Sequence, residues 1–141
     1  MKLCRATIRP ATKTKLLTVL QQILADTGDV NLDRQDVWEV LSEATSLQFG
    51  MATGGGYQRA EMVGQQLWAS STVLGDTNLP PHRILLAFQS GTATELEMDE
   101  LVQLMEYIVS QAGEQAEVVF GHGSKSMLGE NIQVMMLVSR R

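Results

Sequence analysis

The sequence predicts an α/β (α+β) domain, a two-layer sandwich in which a mixed four-stranded sheet is packed with helices. Three observations carry this reading. Segments with helical periodicity alternate with short apolar runs bounded by turn residues, the pattern of helices laid on a sheet. The two longest apolar runs, Ile84-Leu85-Leu86-Ala87-Phe88 and Val134-Met135-Met136-Leu137-Val138, suit buried strands and are far too short to cross a membrane. With 141 residues, 44% hydrophobic and 19% charged, the chain is long enough for one domain with a sizeable core.

The elements follow in order. Residues 1–14 form an N-terminal arm, with an extended stretch ended by Pro10, and residues 15–141 form the domain. From Lys13 to Asp26, the residues Leu16, Leu17, Val19, Leu20, Ile23 and Leu24 repeat at i, i+3, i+4, i+7, which predicts an amphipathic helix ended by Gly28. A short loop leads to a second helix from about Asp33 to Ser42. Ala44 to Thr53 reads as extended, and Gly54-Gly55-Gly56 breaks the chain. Gln58 to Ser70 is helical, with Ala60, Val63, Leu67 and Trp68 on one side. Residues 71–82 read as a loop, and Ile84 to Gln89 as a buried strand. Glu97 to Gln111 is the clearest helix, with Met98, Leu101, Val102, Met105, Ile108 and Val109 as its inner stripe and Gly113 beyond its end. Glu117 to Phe120 and Ile132 to Val138 are the last strands, separated by a loop that starts at Gly121-His122-Gly123.

Composition and charge remove several function classes. The net charge is -5, from 11 basic and 16 acidic residues, and only 5% of residues are aromatic. A nucleic-acid-binding surface needs a basic footprint that this balance does not supply. The single cysteine, Cys4, rules out an internal disulfide and a thiolate metal cage, and two isolated histidines do not make a metal site. The start of the chain has basic residues but no apolar signal core, so the expected location is cytoplasmic, away from membranes.

The richest polar segment is Val30-Asn31-Leu32-Asp33-Arg34-Gln35-Asp36-Val37, where a loop enters a helix. Asp33 and Asp36 lie three residues apart at the helix start and share one face. The helix dipole favours their ionised forms there. Such a pair can position a water or a hydrated metal at a phosphate, and it is also what an acidic helix cap looks like. The Gly54-Gly55-Gly56 cluster lacks the Lys-Ser/Thr of a phosphate loop and reads as a strand-to-helix connection. Gly121-His122-Gly123-Ser124-Lys125-Ser126 offers a histidine and two serines, but proximity in sequence supplies no oriented nucleophile–base pair. The eight methionines read as core filler.

From about Leu16 to Arg140 the chain resembles the C-terminal half of FtsZ, the bacterial tubulin-like division GTPase. Asn31-Leu32-Asp33-Arg34-Gln35-Asp36 reproduces that family's Asn-x-Asp-x-x-Asp synergy loop, followed by a helix. Phe49-Gly50-Met51-Ala52-Thr53-Gly54-Gly55-Gly56, with Arg59-Ala60 opening the next helix, resembles its glycine-broken strand. Arg83 to Gly91, Glu95 to Glu100, Val118 to Gly121 and Ile132 to Val138 resemble the elements after it, in the same order. Arg34 stands where an apolar residue is usual and Thr72 where proline is commoner. The glycine-rich GTP signature of the family is not in this sequence.

The resemblance implies a C-terminal-domain-like fold and a part in cell-division filament assembly. It implies that Asp33, Asp36 and Asn31 act in trans: the carboxylates would orient water and the metal shell at a neighbour's γ-phosphate, and Asn31 would hold the loop or the water. No cofactor is then expected on the isolated chain; GTP and magnesium belong to the neighbouring subunit. The implied partner is an FtsZ-type GTPase subunit or a GTP-binding half, with self-association also admitted and no nucleic acid or membrane. Pro10 interrupts an upstream continuation of the first helix, which favours a separate or divergent protein over a fragment. The alternative is a stand-alone α/β regulatory or binding module that caps FtsZ-type filaments or has lost its filament contacts.

Overall fold

The computed structural model describes residues 34–76 and 78–141, together with Thr14, Leu17 and Thr18. Helix α1 (Arg34–Glu43) leads into strand β1 (Ser46–Gly54), followed by α2 (Arg59–Ala69), β2 (Thr72–Leu74), β3 (Pro81–Ser90), α3 (Met98–Ala112), β4 (Glu117–Ser124), a 3-10 turn at Ser126–Leu128, and β5 (Ile132–Arg140). The predicted helix over Lys13 to Asp26 lies largely outside the described residues.

The strands make one mixed sheet in the order β2-β1-β5-β3-β4. Antiparallel ladders join β1 to β2, β1 to β5 and β3 to β5, whereas β4 runs parallel to β3. The α3 crossover between β3 and β4 permits the parallel pair. The sheet has five strands instead of the predicted four. The addition is β2, inside the segment read as a loop, where Leu47, Gln48 and Phe49 of β1 pair with Leu74, Val73 and Thr72. Three residues carry no usable periodicity, and only the free edge of β1 makes them a strand.

The strand ends also shift. β3 begins three residues early, at Pro81, where it pairs with Arg140 across an irregularity between Pro81 and Arg83. β4 runs on through Gly121-His122-Gly123, in register with Ala87, Phe88 and Gln89. Glycines usually end or weaken a strand; here continuous pairing with β3 outweighs that preference.

Alternation along the strands divides the core between the two sheet faces. On one face Ile84, Leu86, Phe88, Val134, Met136 and Val138 pack beneath α2 and α3. On the other lie Leu47, Phe49, Leu85, Ala87, Met135 and Leu137, with Ala44 and the half-buried Leu41 of α1. The body is thus the predicted two-layer unit of sheet and helices, with α1 seated against the opposite face. α2 and α3 touch closely at Gly64, where a Cβ would come within 3.2 Å of Tyr107 Cδ1.

In α2, Ala60, Val63 and Leu67 are buried as expected. In α3 the buried residues are Leu101, Leu104, Ile108 and Ala112, while Met98 is 70% and Val102 43% exposed. The inner stripe therefore lies to one side of the predicted one. Apolar residues on both flanks of a helix make its true centre hard to read. Leu104→Ala and Ile108→Ala should each cost about 2–5 kcal/mol as core truncations. Met98→Ala and Val102→Ala should stay within about 0.5 kcal/mol, as surface changes do. Urea titration of the four variants distinguishes the faces; similar losses in both pairs would place α3 in a different rotation.

Candidate functional site

Of the acidic segment expected at 31–36, the structure describes residues 34–36, which form the first turn of α1. Asn31 and Asp33 lie outside the described residues, and Asp36 falls within α1 with its side chain outside them. What the structure describes is the seat of the helix that carries the loop. Glu39 Oε2 lies 2.8 Å from Arg83 Nη1, near the start of β3. Arg83 Nε lies 3.3 Å from Glu117 Oε2, at the start of β4. Gln35 Nε2 donates to Glu39 Oε1 at 3.2 Å, across one helical turn. Trp38, next to Glu39 in sequence, stays 61% exposed.

The opposite end of the sheet is held by Arg59, the first residue of α2. Its guanidinium is almost fully buried and donates all five of its N–H groups. Nε and Nη2 form a two-pronged pair with Glu100 Oε2 (2.7 Å) and Oε1 (2.8 Å). Nη1 donates to the carbonyls of Thr94 (3.0 Å) and Glu130 (2.9 Å), and Nη2 also donates to the Glu95 carbonyl at 2.9 Å. Glu100 Oε1 accepts a further bond from the Glu97 N–H at 3.1 Å, which caps the start of α3. The hydrogen bond from Arg59 holds the Glu100 carboxyl below its ordinary range, and the bond to Glu100 raises the Arg59 guanidinium above its own.

This network explains the glycine cluster without a phosphate. A Cβ at Gly55 would collide with the Asn131 side chain, and Gly56 has φ of 86°. Gly54-Gly55-Gly56 therefore lets the turn close against residues 130 and 131 and deliver Arg59 to the Glu130 carbonyl. Gln58 completes the turn in the left-handed region, at φ 58°. A cleft of about 340 Å³ opens above Arg59, lined also by Tyr57, Thr94, Glu97 and Gln103. With every donor committed, Arg59 has none left for an anion there. His122 sits inside β4, five residues beyond Glu117 and so about 16 Å along the strand from the α1 seat. Among the described residues, no three His, Cys, Asp or Glu side chains are grouped to hold a metal ion, and no helix is long and apolar enough to cross a membrane.

Sequence reasoning quoted Arg59 and Glu100 but did not join them. The available signal was an arginine three residues past a triple glycine, together with a glutamate in a helix first turn whose neighbours are already acidic.

A mixed sheet flanked by α2 and α3, with α1 entering it, defines the class as an α/β unit of sheet and helices. Comparison with known proteins gives the particular likeness, which is to FtsZ. No protein-family model matches the chain. It is 27% identical over 120 residues to "Cell division protein FtsZ 1" of Thermococcus kodakarensis, and equally so to that of Pyrococcus horikoshii. These matches cover 85% of this chain and 31% of each relative, so the chain spans about a third of their length. Two solved FtsZ structures from M. jannaschii superpose over 96% of the chain, with TM-scores of 0.70 and 0.71 at 16% and 15% identity. The first, an empty FtsZ dimer, is covered over 40% of its length, and the second, a W319Y mutant, over 42%. The solved structures show the fold, the curated relatives show the sequence likeness, and together they are consistent with an FtsZ C-terminal domain.

Arg59→Ala should cost about 3–5 kcal/mol, because it strands the partly buried Glu100 carboxylate as well as three carbonyls. Glu100 has a folded-state pKa below its ordinary 4.5, so its contribution is complete above that value and is lost as pH falls through the folded pKa. Arg59, with its raised pKa, keeps its contribution throughout that range. The stability gap between wild type and Glu100→Gln should therefore narrow as pH falls below 4.5. Urea midpoints between neutral and acidic pH measure this; a constant gap would mean that the carboxylate charge contributes nothing.

Proposed function

We propose that this chain works as an FtsZ-type C-terminal unit in cell-division filament assembly, lending its acidic loop to the nucleotide site of a neighbouring GTPase subunit. The observation that carries the reading is the likeness to FtsZ in sequence and in fold across nearly the whole chain. The Asn31-x-Asp33-x-x-Asp36 spacing at the head of α1 supports it.

In this reading Asp33 and Asp36 act as ionised carboxylates at a helix start, where the dipole favours their charge. Phosphoryl transfer through a loose transition state calls more for positioning than for a strong base, which suits carboxylates of low pKa. They orient the attacking water and the hydrated magnesium of the partner's nucleotide, and Asn31 holds the loop or the water. GTP and magnesium are bound by the partner, an FtsZ-type GTPase subunit or GTP-binding half, and filament growth includes self-association among such subunits.

With an FtsZ-type GTPase present, the wild-type chain should change both sedimentable polymer and GTP turnover. Asp33→Ala and Asp36→Ala should lower the turnover stimulated by the chain while weakening co-sedimentation much less, because docking uses a wider surface. If wild type and both variants leave both readouts unchanged, the loop is only a helix cap. Calorimetric titration of the isolated chain with GTP should show no tight, stoichiometric binding; such binding would overturn the division of labour proposed here.

A further inference from the structure

We infer that the Glu39–Arg83 ion pair is a positioning device for the acidic loop, fixing the rotation and depth of α1 so that the loop meets a neighbour's nucleotide in one geometry. The inference rests on the reading above and adds to it the part of the chain that sets the aim. Position 36 lies on α1 one turn before Glu39 and on the same flank of the helix. Whatever holds Glu39 in place therefore holds the backbone of Asp36. Arg83 Nε also lies 3.3 Å from the exposed carboxylate of Glu117, its register partner across the parallel β3–β4 ladder, a charge contact without hydrogen-bond geometry. Gln35 Nε2, bonded to Glu39 Oε1, directs the other carboxylate oxygen, Oε2, to Arg83. A line of four side chains thus runs from the first turn of α1 to two adjacent strands.

The pair is suited to positioning more than to stabilising. The side chains are 20% and 41% exposed, and an ion pair that open to water contributes little to folding. Its directional value is larger, because arginine presents a rigid fork of donors and locks geometry better than a lysine does. Leu41 of α1 and the adjoining Ala44 pack on the sheet, and because apolar contacts are non-directional the ion pair adds a direction that they do not supply. In a reaction that depends on placing water and metal, a displacement of about 1 Å can cost about 100-fold in rate.

The test uses the full-length chain with Trp68→Phe as background, so that Trp38 is the only tryptophan. Glu39→Gln, Arg83→Gln and the double variant are compared with Arg83→Lys. Thermal midpoints should stay close to the background. Fluorescence anisotropy of Trp38, read without any partner, should fall in both glutamine variants as α1 loosens. Turnover stimulated in an FtsZ-type GTPase should drop between about tenfold and about 100-fold, with co-sedimentation little changed. The double variant should lose no more than either single one, and Arg83→Lys should recover part of the loss. Unchanged anisotropy overturns the inference, and so does turnover that survives both glutamine variants while the background chain stimulates normally. If the background chain stimulates nothing, the functional reading fails and the inference falls with it.

Discussion

The Arg59 guanidinium is the constraint on which one end of the molecule depends. One buried cation collects the start of α2, the start of α3, the 94–95 loop and the turn at residue 130, none of which is linked to another by continuous secondary structure. Burying a guanidinium is costly unless its charge is balanced and its donors are used. Here Glu100 supplies the charge and three carbonyls take up the remaining donors, so the loops around it have few other ways to pack. The glycines at 55 and 56 fit this arrangement, since a side chain at position 55 would displace that of Asn131 and press on the Glu130 carbonyl, 3.3 Å away.

Arg140 shows what the same side chain does with no acid beside it among the described residues. It is also buried, and desolvation lowers its pKa. Its Nη1 donates to the Leu79 carbonyl at 3.2 Å and to that of Ala112 at 3.5 Å, at the last residue of α3. The negative end of the helix dipole partly offsets the charge there. Nε has no acceptor, so this contact is a weaker tether than the Arg59 network.

Most of the scaffold was legible because it rests on periodicity and punctuation. β3 and β5 announced themselves as apolar runs, β1 as an extended stretch broken by three glycines, and α3 as a long amphipathic segment with Gly113 at its end. What escaped was whatever depends on a partner distant in sequence. β2 exists through its pairing with Leu47 to Phe49, and the glycine-rich end of β4 through its pairing with Ala87 to Gln89. The Arg59–Glu100 pair spans 41 residues, and a charged residue at a helix start is ordinarily solvated. Asn31, Asp33 and Asp36 are the reverse case: their spacing was legible at once, while Asn31, Asp33 and the Asp36 side chain lie outside the described residues.

The two ends of the sheet differ in how firmly they are held, and this bears on where function can reside. At the Arg59 end, buried charge and committed donors make local opening expensive. At the other end, among the described residues, the partly exposed Glu39–Arg83 ion pair ties α1 to β3, and Leu41 with the adjoining Ala44 packs on the sheet. Elements that dock or close on a partner are drawn from the less stable parts of a fold, because they must adjust without unfolding the rest. In the proposed function the acidic residues stand at the head of α1. For that proposed role, a sheet-and-helix body held firmly at its Arg59 end suits a unit that offers the other end to another molecule's site. Under that proposal, a misplaced α1 changes the geometry offered to the partner, while the buried Arg59 network at the other end of the sheet is left in place.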